Sequence, residues 1–296
     1  MITFEPATKA GAKARIALTG PPGSGKTYTA LALAFGLGRN VVVVDTERGT
    51  ASKYAGLNGW EFQRLNVHSY SPQSLVEILG AAAGQGFEVL ILDSWSHYWE
   101  GIDGMLEQVD RRSGANKFTS GWKEMRPEER RMVDALLAFP GHLIVTLRTK
   151  VEYVIVENER GKKEPRKVGL KPIQREGVEY EFDLVGDLDL DNKMTVSKTR
   201  MPELARRIIP EPGTELGEQI KAWLDDGVAR PTVAEYRDRA LAAGQTYTAL
   251  LELYREIERD GMIGAPTTAA DGSPAILGEL IRSRGLAAKE SQAVAK

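Results

Sequence analysis

The stretch Gly20-Pro21-Pro22-Gly23-Ser24-Gly25-Lys26-Thr27 decides the fold. It matches the P-loop pattern and joins an apolar run to a helical pattern, which is the context that this motif requires. Its glycines let several backbone N–H groups face one anion at the positive end of a helix. Lys26 can reach the β- and γ-phosphates of a nucleotide, and the Thr27 hydroxyl can ligate Mg²⁺. The following Tyr28 completes the predicted nucleotide contacts of this segment.

The amino-acid composition limits which side chains can carry out catalysis and binding. The chain has 296 residues, no Cys and three His, at positions 68, 97 and 142, with a formal net charge of −2. Disulfides, thiolate nucleophiles and cysteine zinc sites are excluded, and the scattered histidines do not suggest a metal centre. We assign no function to the three histidines. Carboxylates, Lys, Arg and hydroxyl groups must therefore carry the chemistry, and any DNA binding must rest on local basic patches.

β-branched runs alternate with helical patterns over roughly the first 190 residues, which predicts an α/β fold with a mostly parallel sheet flanked by helices. The predicted strands are Arg15–Thr19, Val41–Asp45, Glu61–Val67, Val89–Asp93 and His142–Leu147. The predicted helices are Lys26–Leu37, Pro72–Ala83 and Pro127–Phe139. Runs such as Val89–Leu92 are apolar throughout, as in central strands buried on both faces.

Beyond Leu147 the pattern changes to hairpins. Val151–Glu157 and Lys167–Pro172 flank a polar turn, which predicts a β-hairpin extension or a mobile loop. A second hairpin is expected over 182–197, followed by a short strand and a helix to Leu224. We predict a core at 1–226, a small C-terminal helical appendage at 227–261 that begins with the capping box Thr232-x-x-Glu235, and a linker and C-terminal tail at 262–296.

Two carboxylates follow predicted strands. Asp93 ends a buried strand and can hold Mg²⁺ beside Thr27. Ser94 follows it, unlike the Asp-Glu ending of AAA-type motors, so the carboxylate that orients the attacking water must come from elsewhere. Glu47, in Asp45-Thr46-Glu47, is the candidate, although it could also be a solvated acid after a strand.

These motifs resemble those of the RecA family. In that family the catalytic Glu lies in an Asp-x-Glu pattern after the P-loop helix, and a later strand ends in Asp-Ser. The resemblance implies that Glu47 is the catalytic base and that Tyr54, seven residues later, stacks on adenine. It also implies a γ-phosphate sensor at the end of the next core strand, at Thr146 and Arg148.

A longer run, residues 169–183 with the sequence GLKPIQREGVEYEFD, is more specific to one family than the P-loop motif is. With the motifs above and Ser197–Arg200, it resembles the phage-encoded, RecA-like P-loop ATPases of the Sak single-strand annealing type over about residues 12–225. The resemblance implies that Lys198 and Arg200 enter the active site of a neighbouring subunit. Only about fourteen residues precede the first strand, which leaves a RecA-type filament in doubt.

RecA-like cores carry two DNA-facing loops, which would correspond here to about Gly104–Lys123 and Arg148–Arg175. The second contains nine Lys and Arg against four Glu. Cations mixed with aromatic residues suit phosphate contact and base stacking, although a solvated charged hairpin would look similar. The predicted DNA-binding residues are Arg111, Arg112, Lys117, Trp122, Arg148, Lys150, Lys162, Lys163, Arg166, Lys167, Lys171 and Arg175.

The sequence thus predicts an ATP- and Mg²⁺-dependent ATPase that binds single-stranded DNA and promotes annealing or strand exchange in phage-type recombination. Expected partners are single-stranded DNA, further copies of the chain in a ring or short filament, and a single-strand binding protein or exonuclease. No segment resembles a membrane span or a signal sequence, which favours a cytoplasmic location, in the host cell if the chain is phage-encoded. The alternatives are a ring-helicase or AAA-like motor or loader in replication and a slow nucleotide-dependent regulator.

Overall fold

The computed structural model describes residues 8–9, 11–113, 119–157, 163–225 and 231–294, without the side chains of 119–120, 153–168, 274 and 290–294. The chain divides into two compact units, residues 12–226 and a unit that includes residues 227–296. Each unit has its own apolar core.

Residues 12–226 are built on one mixed sheet. Its strands are β1 (Arg15–Gly20), β2 (Val41–Asp45), β3 (Gln63–Asn66), β4 (Val89–Asp93), β5 (His142–Glu157), β6 (Lys163–Pro172), β7 (Leu184–Leu188), β8 (Lys193–Thr199) and β9 (Ile208–Pro210). They are ordered β3-β2-β4-β5-β1-β7-β8-β9, and β6 pairs with β5 outside this path. The strands from β3 to β7 in this order run parallel, and β8, β9 and β6 are antiparallel to their neighbours. The predicted α/β class is confirmed.

Helices cover both faces of this sheet. They are α1 (Lys26–Leu37), α2 (Pro72–Gly84), α3 (Ser96–Glu100), α4 (Met105–Arg112), α5 (Thr119–Leu137) and α6 (Thr214–Asp225). Successive strand residues alternate between the faces, so Ile16 and Leu18 join the core under α1 and α6, while Ala17 joins the core under α2 and α5. The sheet is therefore buried on both sides, as its apolar strands predict.

Helix α6 packs closely against the P-loop helix α1 because both carry glycine at the contact. A Cβ atom on Gly36 would lie 2.3 Å from the Thr214 carbonyl oxygen, and one on Gly217 would lie 2.4 Å from that of Leu33. Any larger side chain would push the helices apart. The position of α1 is thus set from both of its sides.

The strand that ends the predicted core also forms the hairpin. β5 runs without interruption from His142 to Glu157 and pairs antiparallel with β6, with a register shift between Glu152 and Tyr153. The sequence predicts separate strands at 142–147 and 151–157. Since a single strand carries both, the hairpin is a direct continuation of the parallel sheet.

The expected first DNA loop, Gly104–Lys123, is wrong for most of its described residues. Met105–Arg112 is helical, because Met105 and Val109 lie one helical turn apart and are both buried. Helix α5 then begins at Thr119, not at Pro127 as predicted, and contains that proline. Proline removes one helical hydrogen bond, but buried Met125 and Met132 on either side pack this helix on the core.

The second unit contains α7 (Val233–Leu241), α8 (Tyr247–Arg259), β10 (Pro266–Thr268), β11 (Pro274–Ile276) and α9 (Leu277–Val294). The capping box of Thr232 and Glu235 is present. The prediction of a linker and tail at 262–296 is wrong, because β10 and β11 form a hairpin and Leu277 and Ile281 of α9 are buried with α8 residues. Across the described residues of both units, no helix is long and apolar enough to span a membrane.

Candidate functional site: the nucleotide cleft

The P-loop forms a cradle that fits a phosphate group. Gly23 and Gly25 both have φ near +83°, a conformation that glycine adopts without strain. A Cβ atom on Gly20 would lie 2.6 Å from the Leu188 carbonyl oxygen, so only glycine fits there. Ser24 is buried, and its hydroxyl has no hydrogen-bond partner among the described residues. An anion bound at this loop would supply the missing partner.

The side chain of Lys26 folds back onto the P-loop. Its Nζ atom donates hydrogen bonds of 2.9 Å to the carbonyl oxygens of Gly20 and Pro21. Burial lowers the pKa of Lys26, and the nearby carboxylates of Asp93 and Glu47 oppose this shift. The ammonium group is therefore held at the mouth of the cradle, where a phosphate would bind.

Asp93 is the centre of a buried polar cluster. Its Oδ2 atom accepts a hydrogen bond of 2.6 Å from the Thr27 hydroxyl, and its Oδ1 atom accepts one from the Thr146 hydroxyl. Burial raises the pKa of Asp93, and the two hydroxyl groups oppose the shift by stabilising the carboxylate. Thr146 reaches Asp93 because β5 lies between β1 and β4 in the sheet.

The donor set fits Mg²⁺ of the kind found with nucleotides. Mg²⁺ binds one or two protein ligands together with water and phosphate oxygens. Thr27 and Asp93 provide a hydroxyl and a carboxylate side by side, at the end of the phosphate cradle. Within the described residues, no cluster of three or more His, Asp or Glu side chains offers a protein-only metal cage. Thr27 and Asp93 would hold the ion together with phosphate oxygens of the nucleotide and water molecules.

Glu47 faces the same cleft and is paired with Arg148. The Arg148 Nε and Nη2 atoms donate hydrogen bonds of 3.0 and 2.9 Å to the two carboxylate oxygens of Glu47. This bidentate contact orients the carboxylate and raises the pKa of Arg148. Both side chains remain partly exposed, at 28% for Glu47 and 42% for Arg148, so a ligand in the cleft can reach them.

The cleft has a volume of about 560 Å³ and an aromatic end. Its walls include the P-loop, Glu47, Asp93, Arg148 and Tyr54. The Tyr54 ring contacts Tyr28 edge-on, with centroids 6.0 Å apart, and Tyr28 contacts Trp60 at 5.3 Å. Tyr54 thus lines the same cleft as the P-loop, and its contact with a nucleotide base stays a prediction.

A hydrogen-bond network joins the ends of β2 and β4 behind these carboxylates. The Ser94 N–H donates to the Thr46 hydroxyl at 2.6 Å, and the Thr46 hydroxyl lies 2.7 Å from His97 Nδ1. Tyr70 stacks on His97, with centroids 5.1 Å apart. The network holds the segment after β2, which carries Glu47, against the segment after β4, which follows Asp93. No motif marks Thr46 or His97, so the sequence predicts no role for either; only their positions beside Glu47 and after Asp93 could have suggested one.

The predicted DNA-binding residues are only partly brought together. Arg111 is bound to Asp103 and Glu107 at 2.7 and 2.6 Å, and Arg112 bonds to Gln108. Both are thus engaged by residues of α4 or of the turn that precedes it. Three cations, Lys150, Lys171 and Arg175, line one cavity with Trp122. Lys117 and Lys162 lie outside the described residues, and the structure describes only the backbone of Lys163, Arg166 and Lys167, on β6.

Lys198 and Arg200, at the end of β8 and just beyond it, have different surroundings. Lys198 Nζ donates to the carbonyl oxygens of Glu179, Tyr180 and Phe182 at 2.9, 2.7 and 2.6 Å. Because an ammonium has three hydrogens, its donor capacity is used within the subunit. Arg200 is 59% exposed and makes one long ion pair of 3.5 Å with Asp183. Of the two, Arg200 is the more available cation.

Comparison with known proteins agrees with this geometry. A search of curated proteins finds no match to the chain. Comparison with protein families matches residues 12–209 to the family described as AAA domain. The match includes the P-loop, Glu47, Asp93, Thr146 and Arg148, and it supports nucleotide-dependent ATPase activity of the AAA type. The chain belongs to the AAA domain family.

Proposed function

We propose that the protein is an ATP- and Mg²⁺-dependent ATPase that binds single-stranded DNA and promotes annealing or strand exchange. The observation that carries this proposal is the bidentate contact between Glu47, at the nucleotide cleft, and Arg148, on the strand that continues into the β5–β6 hairpin. The contact gives a direct route from the hairpin, whose sequence is rich in cations, to the candidate catalytic base.

Each residue of the cleft has a role in this proposal. The P-loop and Lys26 hold the phosphates, Tyr54 contacts the base, and Thr27 and Asp93 hold Mg²⁺. When bound, Mg²⁺ neutralises charge that develops on the phosphates during transfer. Glu47 orients the attacking water and accepts its proton, and Thr146 keeps the carboxylate of Asp93 in place.

Arg148 links DNA binding to turnover. While Arg148 holds both oxygens of Glu47, the lone pairs of the carboxylate are engaged by the guanidinium and are not directed at the attacking water. A DNA phosphate that binds Arg148 competes for the same N–H groups. DNA binding then releases Glu47 toward the water, which makes ATP hydrolysis depend on DNA.

Assembly is the second part of the proposal. The resemblance to Sak-type annealing proteins implies a cation supplied by a neighbouring subunit. Its exposure makes Arg200 the better candidate for that role, whereas Lys198 supports the turn at residues 179–182. A ring or short filament of this kind would present DNA strands side by side for pairing. Phage origin and a cytoplasmic location belong to the same proposal.

The family match favours one alternative, an AAA-like motor or loader that acts on a replication fork or a protein partner. A loader would hydrolyse ATP in response to a protein partner. The ATP turnover of a slow regulator would respond neither to DNA nor to a protein partner. ATP turnover measured with single-stranded DNA, duplex DNA or no DNA tests the proposal. A several-fold increase with single strands, and a much smaller one with duplex, is expected. Equal rates in all samples would contradict DNA-dependent hydrolysis.

A further inference from the structure

A second cavity lies beside the nucleotide cleft, with a volume of about 380 Å³. Its walls come from α3, α5 and the segment that follows β6, and they include Trp99, Trp122 and Gln174. Cavities of about 300–1,000 Å³ bind small organic molecules. Ile173 and Glu100 line both this cavity and the nucleotide cleft, so the two are neighbours.

The two tryptophans give the cavity an aromatic wall. The rings of Trp99 and Trp122 have centroids 5.7 Å apart and planes inclined by 38°, so they are not stacked face to face. Both side chains are half-buried, although they pack on the apolar core beneath them. Trp122 lies on α5 and Trp99 lies on α3, so the backbone of two helices carries the pair. A planar ligand ring can stack on such a wall whatever its hydrogen-bonding pattern.

The polar part of the wall is only partly satisfied by the described residues. Gln174 is 8% exposed; its side-chain oxygen accepts a hydrogen bond of 2.9 Å from the Arg175 N–H, but its amide nitrogen has no acceptor in the described part of the chain. Glu129 is 9% exposed; its Oε1 atom lies 3.4 Å from the Arg175 Nε atom but accepts no hydrogen bond from the described residues. A buried amide donor and a carboxylate acceptor require partners. A nucleobase edge offers both an acceptor and a donor in one plane.

Cations stand at the edge of the same cavity. Arg175 is 39% exposed; its Nε atom lies 3.4 Å from Glu129 and its Nη2 atom lies 3.5 Å from Glu181, which leaves Nη1 without a hydrogen bond to any described residue. Lys150 is exposed and makes no ion pair with any described residue. A nucleotide whose base entered the cavity would place its phosphate near these two side chains.

We propose that this cavity binds one unpaired base of single-stranded DNA, stacked on Trp99 and Trp122, with the adjoining phosphate at Lys150 and Arg175. The inference rests on the proposed binding of single-stranded DNA and assigns part of that binding to the base instead of the backbone. It accounts for a preference for single strands, because a paired base has its hydrogen-bonding edge occupied and its faces stacked.

The test compares two fluorescein-labelled oligonucleotides of equal length, an oligothymidylate and an abasic strand with the same phosphates, by anisotropy with an ATP analogue and Mg²⁺ present. The wild-type chain should bind oligothymidylate at least tenfold more tightly than the abasic strand, as loss of base stacking predicts. Trp122→Leu should reduce this ratio about tenfold without changing abasic binding. Trp122→Phe, which keeps a ring, should retain most of it.

Lys150→Ala serves as the matched control, because it should weaken binding of both strands by the same factor. Equal wild-type affinity for the two strands would overturn the base pocket and leave DNA binding intact. Unchanged binding of oligothymidylate by folded Trp122→Leu would also overturn it. Absence of binding to either strand by the wild type would instead overturn the proposed function itself, and the pocket with it.

Discussion

Arg148 donates two hydrogen bonds to Glu47 across the nucleotide cleft, from Nε and Nη2 to the two carboxylate oxygens at 3.0 and 2.9 Å. The two residues are far apart in sequence: Arg148 lies on β5, and Glu47 lies just beyond the end of β2. Their contact joins the strand that continues into the hairpin to the candidate catalytic base.

Glu47→Gln should reduce ATP turnover by roughly 100-fold or more, because a general base contributes about 10²–10⁴ to the rate. Nucleotide affinity should be unchanged, since Glu47 does not bind the P-loop. Steady-state phosphate release and binding of a fluorescent ATP analogue give the two quantities. A variant that retains half of the turnover would remove Glu47 from the base role.

Arg148→Ala should uncouple hydrolysis from DNA. With the bidentate contact absent, Glu47 is free whether or not DNA is bound, so the ratio of turnover with and without single-stranded DNA should fall toward one. Arg148→Lys, which keeps the charge but loses the two-pronged geometry, should give an intermediate ratio. A wild-type ratio in Arg148→Ala would contradict the proposed link.

Thr146→Val should destabilise the core as well as slow turnover. The substitution preserves shape but removes a hydrogen bond to the buried Asp93 carboxylate, at a cost of roughly 1–3 kcal/mol in the free energy of unfolding. Thr146→Ser keeps the hydroxyl and is the matched control. Urea denaturation of the three proteins measures the difference, and equal midpoints would show that this hydrogen bond contributes nothing.

Variants of Lys198 and Arg200 should have different effects, because we assign Lys198 a structural role and Arg200 a role in assembly. Lys198→Met leaves three carbonyl groups without their donor and should lower the free energy of unfolding by roughly 1–2 kcal/mol. Arg200→Ala should leave stability nearly unchanged but lower ATP turnover, most clearly at protein concentrations where the wild type assembles. If Lys198→Met lowered only turnover and Arg200→Ala lowered only stability, the two assigned roles would be reversed.

His142 should make the core sensitive to acid. Burial, assisted by Lys13 and Lys221, lowers its pKa to about 4, and its Nδ1 atom accepts a hydrogen bond from the Ala14 N–H. The unfolded chain takes up a proton near pH 6.5 while the folded chain does not, so stability is complete above that pH and declines toward pH 4. The decline should be at most about 3 kcal/mol.

The comparison for this prediction is His142→Gln, which removes the titrating group but can still accept the hydrogen bond through its side-chain oxygen. Its free energy of unfolding should vary much less between pH 4 and 6.5 than that of the wild type. Parallel curves for the two proteins would assign the acid sensitivity to other groups.

Sequence patterns predict the parts of this structure that are local. The P-loop motif, the apolar runs of β2 and β4 and the capping box at Thr232 each depend on neighbouring residues, and all are found. The predicted loop at Gly104–Lys123 fails because α4 is short and has few apolar positions, so its period is weak until the core that buries Met105 and Val109 is known.

The site follows the same division. Lys26, Thr27 and Asp93 belong to contiguous motifs and can be identified from sequence. Their hydrogen bonds cannot, because the Asp93–Thr146 contact depends on β5 inserting between β1 and β4, an order of strands that no local pattern encodes. The pairing of Glu47 with Arg148 and the approach of Trp99 to Trp122 depend on the same tertiary arrangement.

The contact between Gly36 and Gly217 has a consequence for how the protein can be divided. The family match ends at residue 209, but α6 begins at Thr214 and supports the helix that carries Lys26 and Thr27. A fragment cut at the family boundary would expose apolar surface on α1 and lose one of its two supports. Such a fragment should be prone to aggregation and rapid proteolysis, whereas one extended through Asp225 should remain soluble and bind nucleotide.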